Sequence, residues 1–389
     1  MSQPNFGIFV ENSVRHVAAS GIATTVVAPN GVPPWPLDRL TRYRALADLP
    51  EAETWRGLDV RRPRFQLLPA IGWRFNPAAI VRAARPVLHR LRAEGFVFDA
   101  IDAQFFYPCG VAAVQLAREF NVPVTIKARG SDIALWGQRP AARRAILWAA
   151  GRAQGITAVS EKLKGEIEAM GVPDEKIGVH YTAVDLDNFA PGDRQAARAA
   201  LAGELGLEPG PGCDSGRPLI VSVGSLTPVK DFPLLLNALR QVPAADLLIA
   251  GHGPERAALE QLAGTLGLGA RVRFLGAIAH DRLPLLYRAA DLFALASQRE
   301  GLANVWIEAL ASGTPVVTTD VGGAREVIDR PEAGRVAAAR TPEALAAAIN
   351  DVLAMPVDPQ AARASAERFS WARHVSAKRA HLERLVAGH

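Results

Sequence analysis

The sequence is poor in cysteine: 389 residues hold only Cys109 and Cys213, far apart and with no CxxC or Cys/His cluster. That excludes a disulfide framework and a structural zinc site, and a reducing, cytoplasmic setting fits best. No run of about 18 apolar residues appears, so nothing spans a membrane as a helix. The opening "MSQPNFGIFVENSVRHV" lacks a basic stretch followed by an apolar one, so no secretory signal is visible. Basic runs interleaved with aromatics are also missing, which argues against nucleic acid as a partner. What remains is 49% hydrophobic and 21% charged, a globular composition, with length enough for two full cores.

The net charge of +5 is unevenly placed. Residues 1–152 carry 20 Lys/Arg against 11 Asp/Glu (+9), and residues 153–389 carry 24 against 28 (−4). Arg56, Arg61, Arg62, Arg64, Arg74, Arg82, Arg85, Arg90 and Arg92 crowd one part of the first half. A solvated Arg-rich surface and a face attracted to anionic membrane or a lipid-phosphate substrate are both compatible with this crowding.

Short apolar runs alternate with helical patterns almost throughout, the signature of parallel sheets buried on both faces. Strands are expected at 24–29, 98–104, 122–130, 155–160 and 176–182, then at 219–225, 245–251, 272–276, 291–297 and 315–320. Helices are expected at 109–120, 141–151 and 161–170, with a last one over 370–385 that no strand follows. The Gly/Pro-rich "EPGPGCDSGRP" (208–218) reads as a loop. The expected organisation is an α/β pair of doubly wound domains, 1–190 and 191–369, plus the terminal segment 370–389. In such sheets ligands bind outside the carboxyl ends of the strands.

"EGLANVWIEALASGTPVVT" (300–318) places Glu300 before a helix starting near Leu302 or Ala303, and Glu308 inside it among apolar side chains. A carboxylate in such company needs hydrogen-bonding partners. The helix start is a site for an anion, and Glu308 lies roughly 8 Å further along the axis. A nucleotide diphosphate with its ribose has that shape; a structural pairing with an arginine is the bland alternative. In "VGSLTPVKDFPLLLNAL" Lys230 enters a helix near the end of a strand, where it suits phosphate. "LLIAGHGPERAAL" carries Gly251, Gly253 and Ala257 as G-x-G-x-x-A, but no acidic residue ends the next strand, so a nicotinamide site is weak. Asp185 and Asp187 imitate a metal-holding D-x-D without a third ligand, and hydrogen bonding within a turn is the better reading; no metal is expected. "ARGSD" places Arg129 and Asp132 at the carboxyl end of a strand, suited to substrate or to a structural salt bridge.

Taken together, "REGLANVWIEALASGTPVVTTDVGGAREVI", "VGSLTPVKDFPLLLNAL", "AGHGPER", "VRFLGAIAHDRLPLLYRAADLFALAS", "AVSEKLKGEIEAMGVPDEKIGVHYTAVDLDNFAP" and "FSWARHV" resemble, in order, the retaining glycosyltransferases of family four. "PNFGIFVE", "QFFYPCGVAA" and "KARGSD" further resemble the subgroup containing teichuronic-acid-type polysaccharide glycosyltransferases.

The resemblance implies a GT-B fold: two Rossmann-like domains facing across a cleft, donor held by the second and acceptor by the first, with the last helix crossing back onto the first. It implies that Glu308 takes the ribose hydroxyls and Glu300 the transferred sugar, and that Lys230 with the N–H groups of Gly301, Leu302, Ala303 and Asn304 holds the diphosphate. Ser225, Gly251, Gly253 and Gly7 would border the donor, Glu300, Lys230 and Arg129 would be the catalytic residues, and Asp132 and Tyr107 would lie on the acceptor side. The expected partners are a nucleotide-sugar donor and a glycan or lipid-linked acceptor, with no added cofactor. Departures are Ser225 where many relatives carry Arg, Arg129 for His, Thr182-Ala183 for Asn-Gly, and Cys109 for the subgroup's Asp. Rival readings are a sugar-nucleotide 2-epimerase and a non-catalytic binding subunit. The family's central first strand is not evident before Gly7, which raises the expectation that Met1 is an internal start.

Overall fold

The computed structural model describes residues 7–68, 72–204 and 216–389. Cys213 and most of the loop expected at 208–218 lie outside the described residues. The chain forms two compact units: Met1–Tyr181 with Ala372–His389, and Thr182–Trp371. The divisions thus fall at 181/182 and 371/372 rather than at 190 and 369.

In the first unit, strands β1 (Thr25–Val27), β2 (Asn30–Val32), β3 (Ala52–Trp55), β4 (Leu58–Arg61) and β5 (Arg64–Gln66) precede β6 (Ile101–Gln104), β7 (Val124–Ala128), β8 (Gly155–Ala158) and β9 (Ile177–Val179). The last four make a parallel sheet in the order β6-β7-β8-β9, while β1-β4-β3 and β2-β5 are separate. β7 and β8 are buried along their whole length, as expected of a parallel sheet covered by helices. The short strands between 52 and 66 were not expected from the sequence. Their Arg-rich composition hides them, and ion pairs of Arg61 with Asp59 and Arg62 with Glu53 lie on that sheet.

The final helix, Trp371–Ala387, packs on the first unit through a polar layer. Thr125 Oγ1 meets His381 Nε2 at 2.7 Å, and Lys378 Nζ donates to Asp102 at 2.6 Å. His180 stacks on His374 at 4.5 Å between centroids. Register sets Thr125 beside Asp102 and Lys127 between Gln104 and Thr157, so these polar residues share one sheet face. Burial holds the three imidazoles far below their ordinary value, at about 2 for His180, 3 for His374 and 4 for His381, so they stay neutral.

The second unit is built on one continuous parallel sheet. Strands β10 (Leu219–Val223), β11 (Asp246–Ala250), β12 (Val272–Gly276), β13 (Leu292–Leu295), β14 (Val316–Thr318) and β15 (Gly334–Val336) run in the order β12-β11-β10-β13-β14-β15. β15 was missed in the sequence because it is three residues long. β11, β13 and β14 are buried throughout, which matches their mostly apolar sequences; the exceptions are Asp246, paired with Arg217, and Thr318, whose hydroxyl donates to Leu295 O. The order reverses between β10 and β13, so the connections leaving these neighbours part in opposite directions. That leaves a crevice at their carboxyl ends, the place where open α/β sheets bind ligands.

Candidate functional site

Both connections at the β10/β13 switch point carry the residues singled out above. After β10 the chain turns through Ser225 and Thr227 to Lys230, then enters the helix Phe232–Leu239. After β13 it passes Ser297 and Glu300 into the helix Asn304–Ala311. The two meet: Lys230 Nζ donates to Glu300 Oε1 at 2.5 Å, and the Ser297 hydroxyl donates to the same oxygen at 2.7 Å. Gly301, Leu302 and Ala303 are buried, and no side chain caps the helix at Asn304. Asn304 begins that helix, so the expected start at 302 or 303 is one to two residues early. The sheet edge therefore presents one ammonium, one carboxylate and the positive end of a helix dipole together.

Glu308 lies in the same helix and is 7% exposed. Among the described residues no arginine pairs with it. Instead, Oε1 accepts from His280 Nε2 at 3.0 Å and Oε2 accepts from the Tyr287 hydroxyl at 3.1 Å. The hydrogen bond to Glu308 raises the His280 pKa above its ordinary value against the opposing effect of burial. Burial, then the Glu308 charge, lifts Tyr287 well above the usual phenol range, so its hydroxyl remains a donor. Neither residue was picked out from sequence. The only signal was position, since "GAIAHDRLPLLY" follows β12 on the same carboxyl edge.

Gly251 and Gly253 are needed for close backbone approach. A Cβ on Gly251 would come within 1.8 Å of the Gly224 carbonyl oxygen, and one on Gly253 within 2.2 Å of that of Leu226. Leu226 N donates to His252 O at 2.9 Å, so the two glycines lock the β11 loop against the β10 loop. Ser225 is exposed, with its hydroxyl 3.3 Å from that of Thr227.

On the first unit, Arg129 stacks over Phe9 at 4.6 Å and donates from Nη2 to Gln104, while its buried Nε has no partner. Burial lowers its pKa to about 10. The Arg129–Asp132 salt bridge considered above does not form. The Asp132 carboxylate instead accepts backbone N–H groups of Phe106 (2.6 Å), Arg129 (3.0 Å) and Gly130 (2.9 Å), tying the turns after β6 and β7 together. Tyr107 is buried, donates its hydroxyl to Trp73 O at 2.5 Å and packs against Trp136. Both residues are thus committed to structure at the carboxyl edge of β6 and β7. Gly7, with φ +78°, precedes the helix Ile8–Ala19 and accepts from Val10 N through its carbonyl. Asp185 caps its own turn through Asp187 N and Asn188 N, both at 3.1 Å. Among the described residues no group of three His, Cys, Asp or Glu could hold a metal ion, and no helix is long and apolar enough to cross a membrane.

This combination defines a class: a two-domain α/β protein of the GT-B fold. Two family models match in tandem over nearly the whole chain, Glycosyltransferase Family 4 at residues 7–188 and Glycosyl transferases group 1 at residues 209–369. The chain is therefore like the family 4 glycosyltransferases.

A D-inositol 3-phosphate glycosyltransferase of Mycolicibacterium gilvum is 37% identical over 224 residues, which are 55% of this chain and 48% of the relative. One of the same name from Mycobacterium bovis is 33% identical over 243 residues, 59% of this chain and 48% of the relative. The chain spans about half the length of the curated relatives it matches. Among solved structures, a sucrose-phosphate synthase from Thermosynechococcus elongatus superposes with TM-score 0.77 at 22% identity, covering 98% of this chain and 94% of that one. Anabaena HepE in complex with UDP-glucose gives 0.74 at 20%, covering 99% and 97%. At these identities the likeness speaks to fold alone.

Proposed function

We propose that the chain is a retaining glycosyltransferase that moves a sugar from a nucleotide diphosphate sugar to a glycan or lipid-linked acceptor, without a metal ion. The observation that carries this is the convergence of Lys230, Glu300 and Glu308 at the β10/β13 switch point. The glycosyltransferase names of the curated relatives support it, as does the binding of UDP-glucose by a protein of the same fold. In this reading Glu308 accepts from the ribose hydroxyls. Lys230 and the start of the helix Asn304–Ala311 hold the diphosphate, and Glu300, released from Lys230, accepts from the sugar.

The bond between the anomeric carbon and the diphosphate oxygen breaks, and charge gathers on the leaving group where the ammonium and the helix dipole stabilise it. The acceptor oxygen bonds the anomeric carbon from the same face, and its proton passes to the departing phosphate.

A role in cell-surface polysaccharide synthesis rests on the teichuronic-type resemblance of the N-terminal segments alone, whereas the curated relatives act on inositol phosphate. The proposed location is cytoplasmic, at the inner face of the plasma membrane. Arg56, Arg61, Arg62, Arg64 and Arg85 are paired to carboxylates and Arg92 donates to the Phe120 carbonyl, which leaves Arg74, Arg82 and Arg90 of that group as the cations for anionic lipid. Salt-insensitive co-sedimentation with neutral and anionic vesicles alike would count against that location.

The catalytic reading is tested by incubating the protein with UDP-, GDP- and ADP-sugars and candidate acceptors, with and without EDTA. The expected result is acceptor-dependent release of nucleoside diphosphate that survives EDTA, with the donor's anomeric configuration kept in the product. Strict dependence on added Mg²⁺ or Mn²⁺, or inversion, would overturn the respective part. Conversion of donor alone, with no acceptor, would mean an epimerase.

A further inference from the structure

The carboxylate of Glu308 is held from two sides by donors on different elements. His280 comes from the turn after β12 and Tyr287 from the helix Leu283–Ala289. Each side chain is itself fixed. Phe189 packs edge-on against the His280 ring at 5.4 Å and tilted against Tyr287 at 6.1 Å, and Phe293 of β13 meets Tyr287 at 5.8 Å. The Phe189 segment is held in turn by Arg363 Nη1, which donates to the Phe189 carbonyl at 2.7 Å.

A glutamate side chain has three rotatable bonds, so a single hydrogen bond leaves its carboxylate plane free to turn. Two donors on separate oxygens fix that plane. A carboxylate has about four acceptor sites, so two remain for a ligand's hydroxyl pair.

We infer that His280 and Tyr287 are positioning residues, which fix the Glu308 carboxylate so that its remaining lone pairs meet the paired hydroxyls of a ribose. The inference rests on the ribose role of Glu308 proposed above. It adds that recognition of the diol depends on two residues that need not touch the nucleotide. The hydrogen bond that raises the His280 pKa also favours the charged imidazolium, which strengthens its hold on the carboxylate.

The test compares the parent with His280→Leu, His280→Gln, Tyr287→Phe and Glu308→Gln. It measures donor KM, kcat, and calorimetric affinity for a nucleoside diphosphate and its 2′-deoxy counterpart. His280→Leu should raise donor KM roughly tenfold, the scale of one hydrogen bond to a charged group, with kcat changed less than about twofold. It should also shrink the preference for ribose over deoxyribose. His280→Gln, which keeps a donor there, should restore most of both. Tyr287→Phe keeps the ring packing and loses only the hydroxyl, so it should move the same two quantities severalfold, and it carries the test alone should His280→Leu fold poorly.

A merely structural role would weaken both nucleotides alike and leave the ribose preference intact. That outcome, or unchanged affinities in His280→Leu and Tyr287→Phe while Glu308→Gln loses ribose preference, overturns the inference. If Glu308→Gln itself keeps full affinity and preference, the ribose reading beneath it fails instead.

Discussion

The two units solve the same architectural problem differently. In the second, six parallel strands form one sheet whose middle strands are buried on both faces. Asp246 and Asp291 pair with arginines at the amino ends, and Lys230, Glu300 and Glu308 lie at the carboxyl ends. In the first, the described strands fall into three sheets, and the interface with the final helix is laid out in threonine, histidine and lysine. An apolar interior is indifferent to pH and tolerates a few polar groups at its rim. A polar interior must satisfy each group it buries. Lys127 is 2% exposed and lies on β7 between Gln104 and Thr157, with Phe105 N donating to its backbone carbonyl. Burial, with Arg129 and Lys378 nearby, pushes its pKa well below the ordinary lysine value. The second unit therefore keeps its charges at the two ends of its strands, while the first carries a polar layer across its sheet face.

Acid should separate the two units most. His180, His374 and His381 are held at about 2, 3 and 4 in the fold but titrate near 6.5 when unfolded. Below pH 6.5 the unfolded chain binds more protons, so each contributes stability that is present above that pH and lost as pH falls, about 1.4 kcal/mol per pH unit. His280 in the second unit has the opposite sign. Its raised value gives stability present below its unfolded pKa and lost as pH rises through the folded one. Hydrogen exchange followed from pH 7 to pH 4.5 should show the β6–β9 sheet losing protection first. Equal loss in both units, or earlier loss around β10–β13, would break the comparison.

A smaller effect sharpens it. Replacing a buried amine whose pKa is held well below its ordinary value with an apolar chain of similar length should be neutral or stabilising, by about 1 kcal/mol. Lys127→Met is thus expected to raise the unfolding midpoint of the first unit slightly, as read by denaturant titration. A loss of 2 kcal/mol or more would mean that the lysine has a partner that the polar layer does not reveal.

The same contrast explains what could be read from the sequence. β10, β11, β13 and β14 are runs such as "LIVSV" and "DLLIA", where nearly every residue faces a core, so their type was plain. The Lys230 and Glu300 loops followed because ligands gather at strand ends. In the first unit, β3, β4 and β5 do alternate, β4 as "LDVR" with Leu58 and Val60 buried, but runs of three to four residues carrying arginines and glutamates are too short to mark strands. At the site, spacing located Glu308 but not its partners, because His280 and Tyr287 are 28 and 21 residues away and meet it only through the fold. Asp132 and Tyr107 were placed at the correct strand ends, yet whether a side chain faces a ligand or a backbone amide is decided by loop conformation. Local sequence does not encode that for a turn containing Phe105 at φ +73°.

The central claim is that the β10/β13 edge of the second unit binds a nucleotide through Glu308. Calorimetric titration of the preferred nucleoside diphosphate into the parent and into Glu308→Gln tests it directly. Loss of a charge-assisted pair of hydrogen bonds should weaken binding by about 1.5–3 kcal/mol, roughly ten- to a hundredfold, with the unfolding midpoint little changed. Equal affinity in the two proteins would contradict the account.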